Sequence, residues 1–291
     1  MLNKKKILIV GLGLIGGSYA AKLSSLGFEV GAITKDQESI DFGLKNQYIA
    51  HGMIEVNKEY IQSFDVIIFA LYPEVFKEWI LKYGSYIKEG TIITDVTGVK
   101  RNIVPFVQDL LPEGVEFIAS HPMAGREVYG VENSDKDLFK NANFIITPTN
   151  KNTHSGINFC KELGTLLEFK NISILSIDEH DEMIAFLSQL THCIAVSLMT
   201  SKASSHLVEY TGDSFRDLTR IAKINEDMWT ELFLMNKDEL VSQMNLFENE
   251  FAKLKEAIIK EDVNTMKDMM KLSTERRKYF DKWGEAYEYE F

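Results

Sequence analysis

Lys6-Ile7-Leu8-Ile9-Val10-Gly11-Leu12-Gly13-Leu14-Ile15-Gly16-Gly17-Ser18 is the stretch that decides the fold. Lys6 to Val10 reads as a continuous apolar run, the mark of a strand buried on both faces of a parallel sheet. A helical pattern follows from Ile15 to Leu26. Between them stands G-x-G-x-x-G. Gly11 permits the tight turn, Gly13 lets the backbone approach a pyrophosphate, and Gly16 lets helix and strand pack closely. Leu14 and Ile15 open the helix, whose free N–H groups face the phosphates. Alone the glycine pattern is weak; between a strand and a helix it predicts a Rossmann-type dinucleotide-binding domain.

Strands and helices keep alternating. A second strand is predicted over Phe28–Ile33. Its end should carry the acid that binds a ribose in NAD-binding proteins, and the residues there are Thr34, Lys35 and Asp36. Lys35 suits a 2′-phosphate and Asp36 a ribose hydroxyl, so the choice between NAD and NADP stays open. Asp65–Leu71 is a further buried strand, and Pro73 starts the next helix. Leu71 and Tyr72 are expected to flank a cofactor ribose at the strand's C-terminal edge. The strand over Thr91–Thr94 delivers Asp95, Thr97 and Lys100 to the same edge. Val115–Ala119 reads as a short strand, followed by Ser120-His121-Pro122-Met123-Ala124-Gly125. A histidine there, stiffened by the proline, points into a crevice at the sheet edge. Taken alone, such a histidine is more often a satisfied loop residue. The strand Asn143–Thr147, a helix over Thr153–Leu167 and a strand over Asn171–Leu175 complete a first domain of residues 1–175.

The bulk properties narrow the function. The chain has 291 residues, long enough for two domains, and 45% hydrophobic residues. A net charge of −11 without a basic run argues against nucleic acid. Cys160 and Cys193 lack metal or CxxC spacing and read as core residues of a reduced, cytoplasmic protein with no metal. The Lys4–Lys6 cluster precedes an apolar stretch that glycines break at once, so neither a signal peptide nor a membrane span is expected.

From Ser176 the period becomes helical. Asp178-Glu179-His180-Asp181-Glu182 opens a long apolar-striped helix, and the acids and His180 read as its N-terminal capping region. Further helices are predicted near 226–235, 237–260 and 262–281, in an all-helical domain of residues 176–291. His192 lies on the long helix. Arg216 is expected to pair with Asp217. Arg220, flanked by Leu218, Ile221 and Ala222, is expected to be partly buried. It would need an anion, either a protein acid or a substrate carboxylate.

The motifs GLGLIGGS (11–18), DVTGVK (95–100), SHPMAG (120–125), SQLTH (188–192) and FRDLTRIA (215–222) together resemble the prephenate dehydrogenases of tyrosine biosynthesis over nearly the whole chain. The resemblance implies a Rossmann domain followed by a helical domain that joins two subunits into a homodimer. It implies that His121 accepts the proton of the substrate's ring hydroxyl while hydride passes to NAD or NADP and the ring carboxylate leaves as CO₂. Arg220 then holds a substrate carboxylate, and His192 and Glu127 line the pocket. Some relatives carry a serine where Gly98 stands, which leaves Thr97 as the nearby hydroxyl, and some carry a histidine at Gln189. The resemblance also implies neither a regulatory ACT domain nor a fused chorismate mutase. The competing readings are arogenate as substrate, a β-hydroxyacid dehydrogenase using a lysine such as Lys202, and a non-catalytic dinucleotide sensor.

Overall fold

The computed structural model describes residues 5–126, 128–203 and 206–281. Its first sheet is parallel throughout. β1 (Ile7–Val10), β2 (Val30–Ile33), β3 (His51–Met53), β4 (Val66–Phe69), β5 (Ile92–Asp95) and β6 (Glu116–Phe117) lie in the order β3-β2-β1-β4-β5-β6. This is the doubly wound order, and its switch point between β1 and β4 opens a crevice at the C-terminal strand ends. The strand pairings align Val10 with Phe69 and Phe69 with Asp95, so the loops after β1, β4 and β5 share that edge.

Burial follows the period of two along each strand. Ile7 and Ile9 face one core with Tyr19, Ala20 and Leu23 of α1 (Leu14–Ser25) and Ile40 of α2 (Gln37–Lys45). Leu8 and Val10 face the other core. There they meet Ile61 of α3 (Lys58–Gln62), Phe76, Trp79 and Ile80 of α4 (Pro73–Tyr83), and Val104 and Val107 of α5 (Val104–Leu110). The β3 strand went unpredicted because its sequence, His51-Gly52-Met53, has no apolar run.

The apolar run 115–119 does not make one strand. β6 ends at Phe117, and after Ile118 the chain enters a second sheet of β7 (Ala119–Met123), β8 (Asn143–Thr147) and β9 (Asn171–Ile174). β7 runs antiparallel to β8, and β8 parallel to β9. A side chain draws β7 out of the first sheet: Asp95 Oδ1 accepts from the Ser120 N–H at 2.9 Å, while Ser120 Oγ donates to the Asp95 carbonyl at 2.9 Å. His121 is therefore the middle residue of β7, paired with Ile145, and not a residue beyond a strand. Pro122, which lacks an N–H, is tolerated because β7 is an edge strand. α6 (His154–Leu166) packs Phe159, Cys160 and Leu163 into the first core, its N-terminus capped by Thr153.

Ile177–Thr200 forms one helical rod: α7 (Ile177–Ile184), a π turn (Ala185–Gln189) and α8 (Leu190–Thr200). Ser176 and Glu179 form a reciprocal capping box at its start. By length and composition the rod is apolar enough to cross a membrane, yet His180, Asp181, Ala185 and Gln189 on it are buried in the fold. α9 (Asp213–Thr219), α10 (Glu226–Met235), α11 (Lys237–Ile259) and α12 (Val263–Asp281) follow. The chain divides into two compact units, one reaching Leu240 and one starting at Val241. The first takes in both sheets and the helices through α10. The second is the rest of α11 together with α12, and it exposes Leu246, Phe251, Ile258, Ile259 and Met270.

Candidate active site

The glycine loop has the form a dinucleotide needs. Gly11 has φ +96°, and a β-carbon on it would strike the Ala70 carbonyl; one on Gly16 would strike the Gly11 carbonyl. Gly13 faces open space, with nothing within 4 Å of a β-carbon placed on it. No side chain caps α1 at Gly13, and no acid lies in its first turn, so the N–H groups behind Leu14 and Ile15 suit an anion. Leu71 borders Gly11, and Tyr72, 43% exposed, sits at the N-terminus of α4. At the ribose end Thr34 is half-buried and Lys35 exposed. Asp36 caps α2, its Oδ1 accepting from Ser39 N at 2.8 Å. Those hydrogen bonds from Ser39 hold its carboxyl below the usual range.

Asp95 and Thr97, expected beside cofactor and substrate, both turn inward. The Asp95 carboxylate accepts from Lys100 Nζ at 2.7 Å, from the N–H groups of Thr97 and Ser120, and from the Thr97 hydroxyl. Lys100 Nζ also donates to the Ser120 carbonyl at 2.6 Å and to Thr97 Oγ1 at 3.2 Å, so all three ammonium protons have acceptors. Neither Asp95 nor Lys100 has exposed side-chain surface. Burial lowers the Lys100 pKa and Asp95 opposes that shift. A buried pair of this kind is tolerated only when every remaining donor is satisfied. It ties the loop after β5 to β7.

His121 stands on that tie. Its Nδ1 lies 2.9 Å from His180 Nε2, and His180 Nδ1 lies 2.7 Å from Asp181 Oδ1. Asp181 in turn accepts from the backbone N–H of Lys100 at 2.9 Å and of Arg101 at 2.8 Å. Burial, then His180 and Lys100, push the His121 pKa well below the usual histidine range, so the ring is neutral. His180 is lowered too, by burial first, against the pull of Asp181. The other edge of His121 faces Gly98 and α10: a β-carbon on Gly98 would lie 3.9 Å from His121 Nε2 and 3.6 Å from Leu232 Cδ2. His180 is thus no capping residue but a fully buried partner of His121. Sequence reading missed it and Asp181 because acids at a helix start are already explained by the helix dipole.

The long rod carries the next groups. His192 donates from Nδ1 to the Ser188 carbonyl, 2.8 Å away, and stacks on Trp229 of α10 with ring centroids 3.7 Å apart. Twelve residues separate His180 from His192, which on a regular helix sets them about 120° apart; the π turn absorbs one residue and leaves about 20°. Gln189, almost fully buried, donates to the Leu232 carbonyl at 2.8 Å and accepts from Asn236 at 2.9 Å. It fixes α10, and with it Leu232 beside His121 and Trp229 beside His192. Arg220 lies in a 3-10 turn (Arg220–Ala222) after α9 and is exposed, not partly buried. Arg216 pairs with Asp213 at 3.4 Å instead of with Asp217. Cys193 is half-buried, whereas Cys160 is a core residue whose thiol burial pushes up to about 12. Glu127 lies outside the described residues.

A crevice with a pyrophosphate cradle on one wall and a neutral imidazole on another belongs to the class of nicotinamide-dependent dehydrogenases. Residues 20–171 match the family model of the prephenate dehydrogenase nucleotide-binding domain, and residues 176–272 that of the prephenate dehydrogenase dimerization domain. The chain belongs to the prephenate dehydrogenase family. It is 32% identical over 267 residues to a prephenate dehydrogenase of Lactococcus lactis, covering 89% of this chain and 72% of that protein. A cyclohexadienyl dehydrogenase of Zymomonas mobilis is 26% identical, over 94% of this chain and 95% of that one. The crystal structure of prephenate dehydrogenase from Aquifex aeolicus in complex with hydroxyphenyl propionate and NAD+ superposes with a TM-score of 0.87 at 27% identity, over 96% of this chain and 99% of that one.

Proposed function

We propose that this protein oxidatively decarboxylates prephenate to 4-hydroxyphenylpyruvate, with NAD or NADP as hydride acceptor, in tyrosine biosynthesis. The observation that carries the chemistry is the neutral imidazole of His121 at the sheet edge, its Nδ1 edge held by His180 and its Nε2 edge beside Gly98. Nε2 takes the proton of the ring hydroxyl as a carbonyl forms at that carbon. The hydrogen on the same carbon leaves as hydride, the bond to the ring carboxylate breaks, and CO₂ departs as the ring aromatises. The bound nicotinamide supplies the acceptor for the hydride and nothing else. The chain's own contribution is orientation and one base. Gly11, Gly13, Leu14, Ile15 and Gly16 hold the dinucleotide, with Leu71 and Tyr72 beside its ribose. Arg220 holds a substrate carboxylate, and His192, braced by Trp229, lines the pocket.

The ribose end favours NADP. Position 34 is a threonine, Lys35 offers an exposed ammonium, and Asp36 is committed to capping α2. On this reading residues 1–175 serve the dinucleotide, and residues 176–291 serve the substrate and the contact between two copies of the chain. A homodimer is supported by residues 196–235, none of which is buried among those described, and by the apolar side chains exposed on α11 and α12. Two free cysteines suit the cytoplasm.

The test is absorbance of the reduced nicotinamide with prephenate or arogenate, each with NAD and with NADP. Turnover of prephenate is expected, faster with NADP. Turnover of arogenate alone would move the assignment to arogenate dehydrogenase. Dinucleotide binding without turnover of either would leave a sensor.

A further inference from the structure

We infer that His180 and Asp181 are positioning residues that fix the tautomer of His121, placing its lone pair on Nε2. The inference rests on the proposed role of His121 as base and adds what makes it one. An imidazole offers a lone pair at only one of its two nitrogens when neutral, and a hydrogen bond at one nitrogen decides the state of the other. The chain of contacts has one consistent polarity. Asp181 receives two backbone N–H groups, from Lys100 and Arg101, so its carboxylate sits in a cradle of donors and can only accept. His180 Nδ1, 2.7 Å from Oδ1, must then carry the proton. Neutral His180 keeps a lone pair on Nε2, so His121 Nδ1, 2.9 Å away, must be the next donor. Neutral His121 is left with its lone pair on Nε2, the nitrogen beside Gly98.

The surroundings hold both rings neutral. The charged groups acting on the pair are Lys100 from the loop after β5, which disfavours a proton on either ring, and Asp181 and Asp95, which favour one on His180. On His121 burial, His180 and Lys100 act in the same direction, and on His180 burial outweighs the acids. The same cradle explains why the device is accurate. The acceptor for His180 is held by the very residue, Lys100, whose side chain ties Asp95 to β7, so base, relay and anchor move as one body.

The experiment combines imidazole nitrogen NMR with steady-state kinetics on the full-length protein. In the wild type, His121 is expected as the Nδ1–H tautomer. In His180→Phe the acceptor for His121 Nδ1 is gone, so His121 should no longer be held as Nδ1–H and its Nε2–H tautomer should appear. Its kcat should then fall by more than about tenfold with KM for substrate and dinucleotide within about twofold. His180→Gln can accept from His121 and donate to Asp181, so it should keep Nδ1–H and lose no more than about tenfold in kcat. An Nε2–H tautomer in the wild type overturns the proposal, and that reading needs no variant to fold. So does a His180→Phe protein that loses activity or thermal stability with the His121 tautomer unchanged. Failure of the wild type to turn over any cyclohexadienol would remove the assigned reaction while leaving the tautomer measurement to stand.

Discussion

Two regions of the first compact unit are built in opposite ways. Around His121, six polar residues (Asp95, Thr97, Lys100, Ser120, His180 and Asp181) are buried, and each is hydrogen-bonded to another part of the protein. Around Arg220, no described residue from 196 to 235 is buried, and the ion pair within α9, Arg216 with Asp213, is exposed. The first region is finished by the chain alone. The second presents its polar groups outward, which on the proposed function is where the substrate and a second copy of the chain are met. The surroundings of His121 are preorganised by the fold, and those of Arg220 are not.

The sharpest way to break that contrast is at its finished side. His121→Asn is expected to lower kcat by about two to four powers of ten while leaving KM nearly unchanged, the loss of a general base. The same residue sets the acid limb. His121 acts when deprotonated, and its pKa is lowered, so kcat/KM should stay flat as pH falls to about 6.5 and drop only below it. Stability has the same sign. The unfolded chain takes up protons at a higher pH than the half-buried ring of His121 and the buried ring of His180, so folding loses stability below about pH 6.5. An activity limb above that value would mean the ring is not shielded by Lys100 and burial. Lys100→Met comes next. It leaves the buried Asp95 carboxylate without its counter-charge, held only by the Thr97 and Ser120 donors, and is expected to cost about 3–5 kcal/mol in urea unfolding. A loss under 1 kcal/mol would mean that water reaches the site.

At the open side the expected effect is smaller and of another kind. Arg220→Ala should raise KM for the substrate about 10- to 100-fold with kcat within a few-fold, the worth of one charge-assisted contact. If kcat fell instead, Arg220 would belong with the preorganised group despite its exposure.

The same contrast explains what the sequence disclosed. The glycine loop, β1 and α1 are local: strand, turn and helix signals lie within a few residues of one another, and the structure has them in register. The helices at 226–235 and beyond stand within a residue or two of their periodicity. What stayed hidden is non-local. Nothing in Val115–Ala119 marks Ile118 as the point where the chain changes sheets, because the cause is Asp95, which receives the Ser120 N–H across 25 residues. His180-Asp181 resembled an ordinary acidic helix start, and only the fold brings it to His121. The π turn has no sequence signature, and without it His180 and His192 would face apart. Arg220 seemed partly buried because its neighbours are apolar, but Leu218 is itself 51% exposed. Apolar neighbours imply burial only when the fold, or a partner, covers them.

The smallest expected effect lies at the ribose end, where the glycine loop is finished but specificity is left to exposed side chains. Lys35 is exposed, and an exposed ammonium beside a phosphate is worth no more than about 1 kcal/mol. Lys35→Ala should therefore raise KM for NADP about three- to fivefold, with less effect as salt is added, and leave KM for NAD unchanged. Thr34→Asp should do more in the same direction: its carboxylate repels a 2′-phosphate and accepts from a 2′-hydroxyl, so it should turn the preference toward NAD. Asp36 is engaged in capping α2 through Oδ1. Asp36→Ala should accordingly lower stability by about 1 kcal/mol, as loss of an N-cap does, and leave the ratio of NAD to NADP use where it was. A change in that ratio would mean that Asp36 leaves its cap when the dinucleotide binds.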